Sequence, residues 1–361
     1  MYTFKKQIIG VKSFLTYNSK LYFEKDNDIY IDEKKSDLPE LPRITKNGYL
    51  VINKGKNKFV IMQSNSVCTE YKNEKSIAYY INSFCLLSKS EAIGGIISYD
   101  SNLMKVIYEN QGIYDITTGN LKSLFKIDNI FSFVLNTPEF AIFQKDATYL
   151  AGYSIKTNQP LWQFDLSQLG TFIDNYSKEV KSYKVEKFIT IYDNQLYIAL
   201  NLPSHTIISI NVQTGKLINK WENIPYTIGA NYDEFEQIIF GFEYKNYWQI
   251  NLKTSEFNII DIENTFKQKN LKSVNSQVNI PINQTHYLIK LETPVDEENS
   301  RIDVGLGLYN KITKQLDWHY VFDKNVFIGA NDPKMTNDKI YQLDADGNLY
   351  IFEKEENNPQ T

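Results

Sequence analysis

Cysteine, methionine and long apolar runs are all scarce in this sequence. Two cysteines, Cys68 and Cys85, are too few for a disulfide framework, so free thiols are expected, with one bridge between them left open. No apolar run approaches the ~18 residues of a membrane span, which predicts a chain that does not cross a bilayer. Four methionines and no extended apolar pattern at helical spacing indicate that helices are few and short.

Net positive charge is also lacking. The chain has 39 Lys and Arg against 43 Asp and Glu, a net charge of -4. Because nucleic-acid binding rests on clustered cations, we do not expect a nucleic acid as partner. The N-terminal residues include Lys5 and Lys6 but not the unbroken apolar stretch of ~7 to 15 residues that a secretory signal has. The sequence therefore predicts a cytoplasmic protein, unless a leader upstream of Met1 was removed.

Aromatic residues are abundant, and a turn pattern recurs among them. The 26 Tyr and 21 Phe favour half-buried strands. The pattern is an aromatic residue or Ile, a small polar residue, two variable residues, Thr, two turn residues and an apolar strand. A small polar side chain there can bond nearby backbone groups, so each copy predicts a strand, a turn and a strand. The copies lie at 114–121, 153–162, 210–217, 250–257 and 309–316, with a fainter one at 31–38.

The spacing of these turns predicts a repeat fold. Their Thr positions 118, 157, 214, 254 and 313 are 39, 57, 40 and 59 residues apart, near the ~40 to 50 residues of a four-stranded propeller blade. Clusters of strand-like residues lie at 11–40, 44–80, 83–127, 130–168, 185–223, 226–262, 274–322 and 326–356. We therefore predict an all-β fold: a single β-propeller domain over residues 1–361, with eight four-stranded antiparallel blades.

Two details of that prediction stay open. The first two clusters are weak enough to form one blade, which makes seven blades the alternative. The last cluster contains three strands, and the N-terminal strand 2–9 is expected to supply its fourth, because an unpaired sheet edge promotes aggregation.

One repeat carries a family resemblance. The segment from Gly152 to Trp162 and the Thr-Gly hairpins resemble the PQQ-like repeat of quinoprotein-like propellers, in which a strand, an Asp-x-x-Thr-Gly turn and a strand with Leu-Trp recur. Trp162, Trp221 and Trp318 fall near the tryptophan position of that family. The resemblance implies the fold. Quinone-dependent members carry adjacent cysteines and a calcium site, which this chain does not match, so no cofactor is expected.

Motifs for chemistry are few. His205, His286 and His319 lie 81 and 33 residues apart, without the short spacings of a zinc site. No nucleophile elbow, dinucleotide-binding turn or phosphate loop occurs. The string from Asp344 to Asn348 resembles the start of a calcium loop, but a strand follows where that loop needs glycine, which favours a plain hairpin turn. We predict no catalytic, cofactor-binding or metal-binding residues.

The remaining hypothesis is a non-catalytic, monomeric scaffold that binds a protein partner, such as a bacterial immunity-type or adaptor protein. The alternative is an enzyme or a small-molecule binder, for a sugar or a quinone, that uses the central funnel. The steps of 57 and 59 residues predict insertions at 169–186 and 292–301, which are either partner-binding loops or longer solvated connections. The predicted partner-binding residues are Phe172, Tyr176, Tyr183, Asp296, Glu297 and Glu298.

Overall fold

The structure is a computed structural model. It describes residues 1–44, 50–53, 58–63, 66–72, 85–86, 91–100, 105–115, 121–124, 132–136, 140–144, 148–173, 177–201, 204–292, 305–329 and 331–355; between 53 and 139 it describes the side chain of Lys122 alone. The predicted insertion residues Tyr176, Asp296, Glu297 and Glu298 lie outside these ranges, and so do the side chains of both cysteines.

The described residues form eight four-stranded antiparallel sheets and one two-stranded hairpin. The N-terminal strand is β1 (Tyr2–Ile8). Sheets 1 to 4 consist of β2 (Val11–Tyr17), β3 (Lys20–Lys25), β4 (Asp28–Ile31) and β5 (Lys34–Ser36); β6 (Arg43–Ile44), β7 (Leu50–Asn53), β8 (Lys58–Gln63) and β9 (Ser66–Lys72); β10 (Cys85–Leu86), β11 (Glu91–Asp100), β12 (Lys105–Asp115) and β13 (Leu121–Leu124); and β14 (Ser132–Asn136), β15 (Phe140–Gln144), β16 (Tyr149–Ser154) and β17 (Gln159–Asp165).

After the hairpin of β18 (Thr171–Ile173) and β19 (Val180–Ser182), the chain continues into four more sheets. Sheets 5 to 8 consist of β20 (Lys184–Tyr192), β21 (Gln195–Asn201), β22 (Thr206–Asn211) and β23 (Leu217–Trp221); β24 (Asn231–Asp233), β25 (Ile238–Glu243), β26 (Asn246–Asn251) and β27 (Phe257–Asp261); β28 (Ser273–Pro281), β29 (His286–Glu292), β30 (Gly305–Asn310) and β31 (Leu316–Val321); and β32 (Lys334–Met335), β33 (Lys339–Leu343) and β34 (Leu349–Lys354) together with β1.

The all-β prediction is confirmed, because 60% of the chain is strand and 4% is helix. The described helices are short: α1 (Glu263–Lys267) and a 3-10 helix at Leu166–Leu169. No helix among the described residues is long and apolar enough to span a membrane. The number of blades, eight or seven, stays a prediction.

The recurring turn pattern marks the same turn in successive sheets, the one between the third and fourth strands. In sheets 5, 6 and 7 the small polar residue is Asn211, Asn251 or Asn310. Each accepts hydrogen bonds on Oδ1 from the backbone amides two and three residues later, at 2.9 to 3.1 Å. The predicted local mechanism of the turn is therefore confirmed at these three positions.

The core lies between neighbouring sheets. Separate clusters of buried apolar side chains fill the spaces between sheets 4 and 5, 5 and 6, 6 and 7, and 7 and 8. Another joins the last sheet to the first, with Val11 and Phe23 packed against Leu343 and Ile351. This contact brings the two ends of the series of sheets together.

The first strand and the last described strand of the chain meet in sheet 8. Strand β1 pairs antiparallel with β34, with Tyr2 opposite Lys354 and Ile8 opposite Leu349. The indole of Trp318 in β31 donates to the carbonyl of Tyr2 at 2.7 Å, so β1 is also bound to sheet 7. The N-terminal strand thus supplies the fourth strand of the C-terminal sheet.

Tryptophans tie other sheets together in the same way. Trp162 of sheet 4 donates to the carbonyl of Val212 at 2.7 Å, and Trp221 of sheet 5 donates to the carbonyl of Ser255 at 3.0 Å. Gly215 lies against the Trp162 ring with φ +69°, and an added Cβ would come within 2.7 Å of the indole. Only glycine fits that turn without displacing the tryptophan.

The topology defines two faces. Because neighbouring strands run in opposite directions, the start of the first strand and the turn between the second and third strands lie at the same end of each sheet. We call this end the upper face; for sheets 5 and 6 it carries residues 204–205, 222–230 and 244–245. The lower face carries the remaining turns, at 193–194, 212–216, 234–237 and 252–256.

Candidate partner-binding face

The connection from sheet 4 to sheet 5 contains the hairpin of β18 and β19, which belongs to no four-stranded sheet. Ile173 pairs with Val180, and Phe172 pairs with Lys181. Because successive side chains of a strand point to opposite sides, Ile173 and Val180 share one side of the hairpin. Ile173 is 67% exposed and Val180 is 70% exposed. The hairpin therefore presents an apolar pair to solvent on the upper face.

The base of the hairpin is fixed to the body of the protein. The carboxylate of Asp165 accepts the amide of Ser167 at 2.8 Å, which holds the pKa of Asp165 below its usual value and begins the 3-10 helix. Tyr183, directly after β19, is buried in the core between sheets 4 and 5, and the Lys220 ammonium lies 5.3 Å from the centre of its ring. Tyr183 is thus a buried residue of this core, and its role in partner binding stays a prediction.

The other predicted site residues fall into two groups. Phe172 is half-buried, on the side of the hairpin opposite the exposed pair. Tyr176, Asp296, Glu297 and Glu298 lie outside the described residues, and their role in binding stays a prediction. The described strand ends that flank the second insertion, Glu292 of β29 and Gly305 of β30, lie on the upper face, as the hairpin does.

A second feature of the upper face, which sequence reasoning missed, is a hydrogen-bonded chain of Glu186, Thr227 and His205. Thr227 is fully buried, and its hydroxyl donates to Oε2 of Glu186. That hydroxyl has one proton, so its oxygen accepts a hydrogen bond from Nδ1 of His205, 2.8 Å away. Nδ1 of the His205 ring therefore carries a proton. The chain fixes the His205 ring on the upper face.

Burial changes the ionisation of charged groups beside this chain. It raises the pKa of Glu243, at the end of β25, and the charge of His205 opposes that change. It lowers the pKa of Lys187 on β20. The Lys187 ammonium donates to the carbonyl of Ala230 at 2.6 Å and to Oδ1 of Asn231 at 2.9 Å. These contacts bind sheet 5 to the segment that enters sheet 6.

The described residues show neither a metal cluster nor a calcium loop. Within the ranges given above, no three His, Cys, Asp or Glu side chains are placed to hold a metal ion. In the calcium-like string, Oδ1 of Asp344 accepts the amides of Asp346 and Asn348 at 2.9 and 2.7 Å. Oδ2 accepts the Asn348 side chain at 2.8 Å. The Asp344 carboxylate therefore stabilises the hairpin turn between β33 and β34 that the sequence predicts.

Comparison with known proteins gives the fold and no family. No protein-family model and no curated protein matches the chain. Among solved structures, BamB from Moraxella catarrhalis, a PQQ-like β-propeller, is 11% identical with a TM-score of 0.50, covering 98% of this chain and 100% of that one. The computationally designed Ika8 protein is 10% identical with a TM-score of 0.50, covering 96% of each chain. Sqt1 from Saccharomyces cerevisiae is 9% identical, with a TM-score of 0.46 and 98% coverage of each chain.

The similarities to BamB and to the designed Ika8 protein, together with the sheets and their packing, establish that the chain is a β-propeller of four-stranded antiparallel sheets. The propeller prediction is thereby confirmed. The PQQ-like character of the repeat stays a prediction, carried by the tryptophan contacts and the turn pattern.

Proposed function

We propose that this propeller is a non-catalytic scaffold that binds a partner protein on its upper face. The observation that carries the proposal is the exposed pair of Ile173 and Val180 on a hairpin that no four-stranded sheet uses. Exposed apolar area gains about 25 cal/mol per Å² when a partner removes it from water. Loops held by a rigid scaffold are where propellers and similar folds bind their partners.

The hairpin is suited to binding because its base is already ordered. Tyr183 and the 3-10 helix fix both ends of the segment, and Lys220 packs on the Tyr183 ring. A preorganised element loses less conformational entropy on association than a flexible loop. The exposed pair can therefore act as an anchor with a small entropic cost.

The surroundings of the pair support a protein as the partner. Lys178, Glu179 and Lys184 are exposed around it, so charges of both signs surround an apolar centre. That arrangement is typical of protein interfaces, whose centre is apolar and whose rim is polar. A toxin neutralised by an immunity-type protein, or a client of an adaptor, would be such a partner.

Affinity capture from the cells that make the protein tests the proposal. The test variant is Ile173→Glu with Val180→Glu. The matched control is Ile218→Glu with Ile259→Glu, two residues 48% and 50% exposed on the outer strands β23 and β27. We expect the wild-type chain and the control to recover the same protein, and the hairpin variant to recover at least about tenfold less. Equal recovery by the hairpin variant would exclude the hairpin as the binding element.

A second candidate function, small-molecule binding, is favoured by a cavity of about 310 Å³ between sheets 8 and 1. Asp32, Asp338, Lys339 and Tyr341 line it. Native mass spectrometry of the protein purified from its own cells tests this function. A bound molecule that is lost from an Asp338→Ala variant would support it, and a wild-type chain without such a molecule would remove it.

A further inference from the structure

On the lower face, three turns meet at one buried ammonium group. Lys311, in the turn between β30 and β31, donates to Oδ2 of Asp233 and to the carbonyl of Asn283, at 2.5 Å each. Asp233 is fully buried at the end of β24, and Asn283 lies in the turn between β28 and β29. One turn of sheet 6 and two turns of sheet 7 are thereby held in a fixed arrangement.

This arrangement presents two apolar side chains to solvent. Oδ1 of Asp233 accepts the amide of Phe235 at 3.0 Å, and the Lys311 ammonium lies 5.3 Å from the centre of the Phe235 ring. The ring is 42% exposed. Ile312 follows Lys311 in the chain and is 73% exposed. A buried ion pair contributes little net stability compared with apolar packing, so its main effect here is to fix the geometry of these turns.

The exposed charges that flank Phe235 in the chain are negative. Glu234 and Glu236 flank Phe235 and are exposed, and neither forms a salt bridge with another described residue. Two cations lie at these turns, and one of them, Lys314, interacts electrostatically with Glu236. Lys311 is neutralised by Asp233, and Lys314 is half-buried with its ammonium 4.5 Å from the centre of the Tyr247 ring. A partner segment with a positive charge beside an apolar side chain is complementary to this surface.

This surface and the hairpin lie at opposite ends of one strand. β20 begins at Lys184, directly after the hairpin segment, and ends at Tyr192. The Tyr192 hydroxyl donates to Gln237 at 2.9 Å, in the same turn as Phe235. At about 3.3 Å per residue, the strand separates the two surfaces by about 26 Å. A partner bound at one surface leaves the other accessible.

We propose that Phe235 and Ile312, with Glu234 and Glu236, form a second docking surface for a partner segment in which a large apolar side chain adjoins Lys or Arg. This goes beyond the function proposed above, because it gives the chain two independent surfaces on opposite faces. The protein then acts as an adaptor that holds two partners at once.

Selection from a displayed library of random peptides of about twelve residues tests the second surface. We expect peptides enriched on the wild-type chain to contain a large apolar residue beside Lys or Arg, and their affinity to fall as salt increases. Synthetic copies should bind about tenfold more weakly to Phe235→Ser with Ile312→Ser. The same loss is expected for Glu234→Lys with Glu236→Lys, which changes exposed side chains only and so leaves folding intact.

The hairpin variant Ile173→Glu with Val180→Glu separates the two proposals. The selected peptides should bind it as they bind the wild-type chain. The docking surface is overturned if no peptide is enriched, if the enriched peptides lack Lys and Arg, or if the charge-reversal variant binds them at full strength. The docking surface would also be overturned if the hairpin variant were the only variant that failed to bind the selected peptides. Failure of the capture experiment on the hairpin leaves this test unaffected, so each proposal can fail alone.

Discussion

Burial determines which charged side chains can be removed without loss of stability, and Lys311 shows this best. Its partner Asp233 is fully buried, so Lys311→Met leaves a carboxylate in the core without a counter-ion. We expect the free energy of unfolding in urea to fall by about 3 to 5 kcal/mol. The matched control is Lys314→Met, where the half-buried ammonium packs on a tyrosine ring and its removal should cost about 1 kcal/mol. Equal losses of unfolding free energy in the two variants would show that the Lys311–Asp233 ion pair contributes no more to stability than the contact of Lys314 with the tyrosine ring.

Buried tyrosines limit the stability of the protein at alkaline pH. Burial raises the pKa of Tyr287 and Tyr309 above the usual value and raises the pKa of Tyr197 to about 12. A group whose folded pKa is raised contributes stability that is complete below the unfolded pKa and disappears as the pH rises through the folded pKa. The free energy of unfolding should therefore fall above about pH 10, by about 1.4 kcal/mol per pH unit for each such tyrosine.

Tyr309→Phe isolates one of these tyrosines. The Tyr309 hydroxyl is buried and has no hydrogen-bond partner among the described groups, so its removal should leave the protein equally stable or more stable at about pH 8. Between about pH 8 and pH 11, the variant should lose about 1.4 kcal/mol less than the wild-type chain. Urea unfolding at both pH values measures the difference. Parallel losses in the two proteins would contradict the assigned burial.

Among the elements, β1 should matter far more than its length suggests. It pairs along β34, its Tyr2 ring lies 5.8 Å from the Trp318 ring, and its Phe4 ring lies 5.9 Å from the Phe352 ring. Deletion of residues 1–8 removes these contacts and leaves the edge of β34 unpaired. We expect a loss of about 5 kcal/mol or more in the free energy of unfolding, from apolar burial and the lost ladder.

Thermal unfolding measures this effect. The control keeps the strand and replaces only its exposed residues, as in Thr3→Ala with Lys5→Ala, which should change the melting temperature little. A truncated chain with the same melting temperature as the control would contradict the role of β1 in closing sheet 8.

Elements defined by local contacts could be predicted from the sequence, and elements defined by remote contacts could not. The Asn211 turn was predictable because its side chain bonds backbone two and three residues away. The burial of Tyr183 was not, because it depends on Lys220 and on the core of the neighbouring sheet. His205 and Thr227 are likewise 22 residues apart, with no spacing that a motif search could detect. The insertion at 169–186 could be recognised from its length, but the sequence did not show which of its aromatic residues are buried.

At the scale of the whole molecule, the order of sheets could be predicted because each sheet is built from consecutive strands, except where β1 joins sheet 8. The contacts between sheets, including the tryptophan bonds and the cluster joining sheets 8 and 1, connect residues up to 316 positions apart. They appear only in the folded chain. The upper and lower faces likewise exist only in the folded chain, because each is formed by connections from several sheets.

The proposed binding of a partner protein through the β18–β19 hairpin is tested by hydrogen–deuterium exchange of the complex with the captured partner. We predict that amides of 171–173 and 177–183 exchange more slowly in the complex than in the free chain, because the partner covers them. Amides of the outer strands β23 and β27 should exchange at the same rate in both states. Hairpin amides that exchange as fast in the complex as in the free chain would show that the partner does not bind the hairpin.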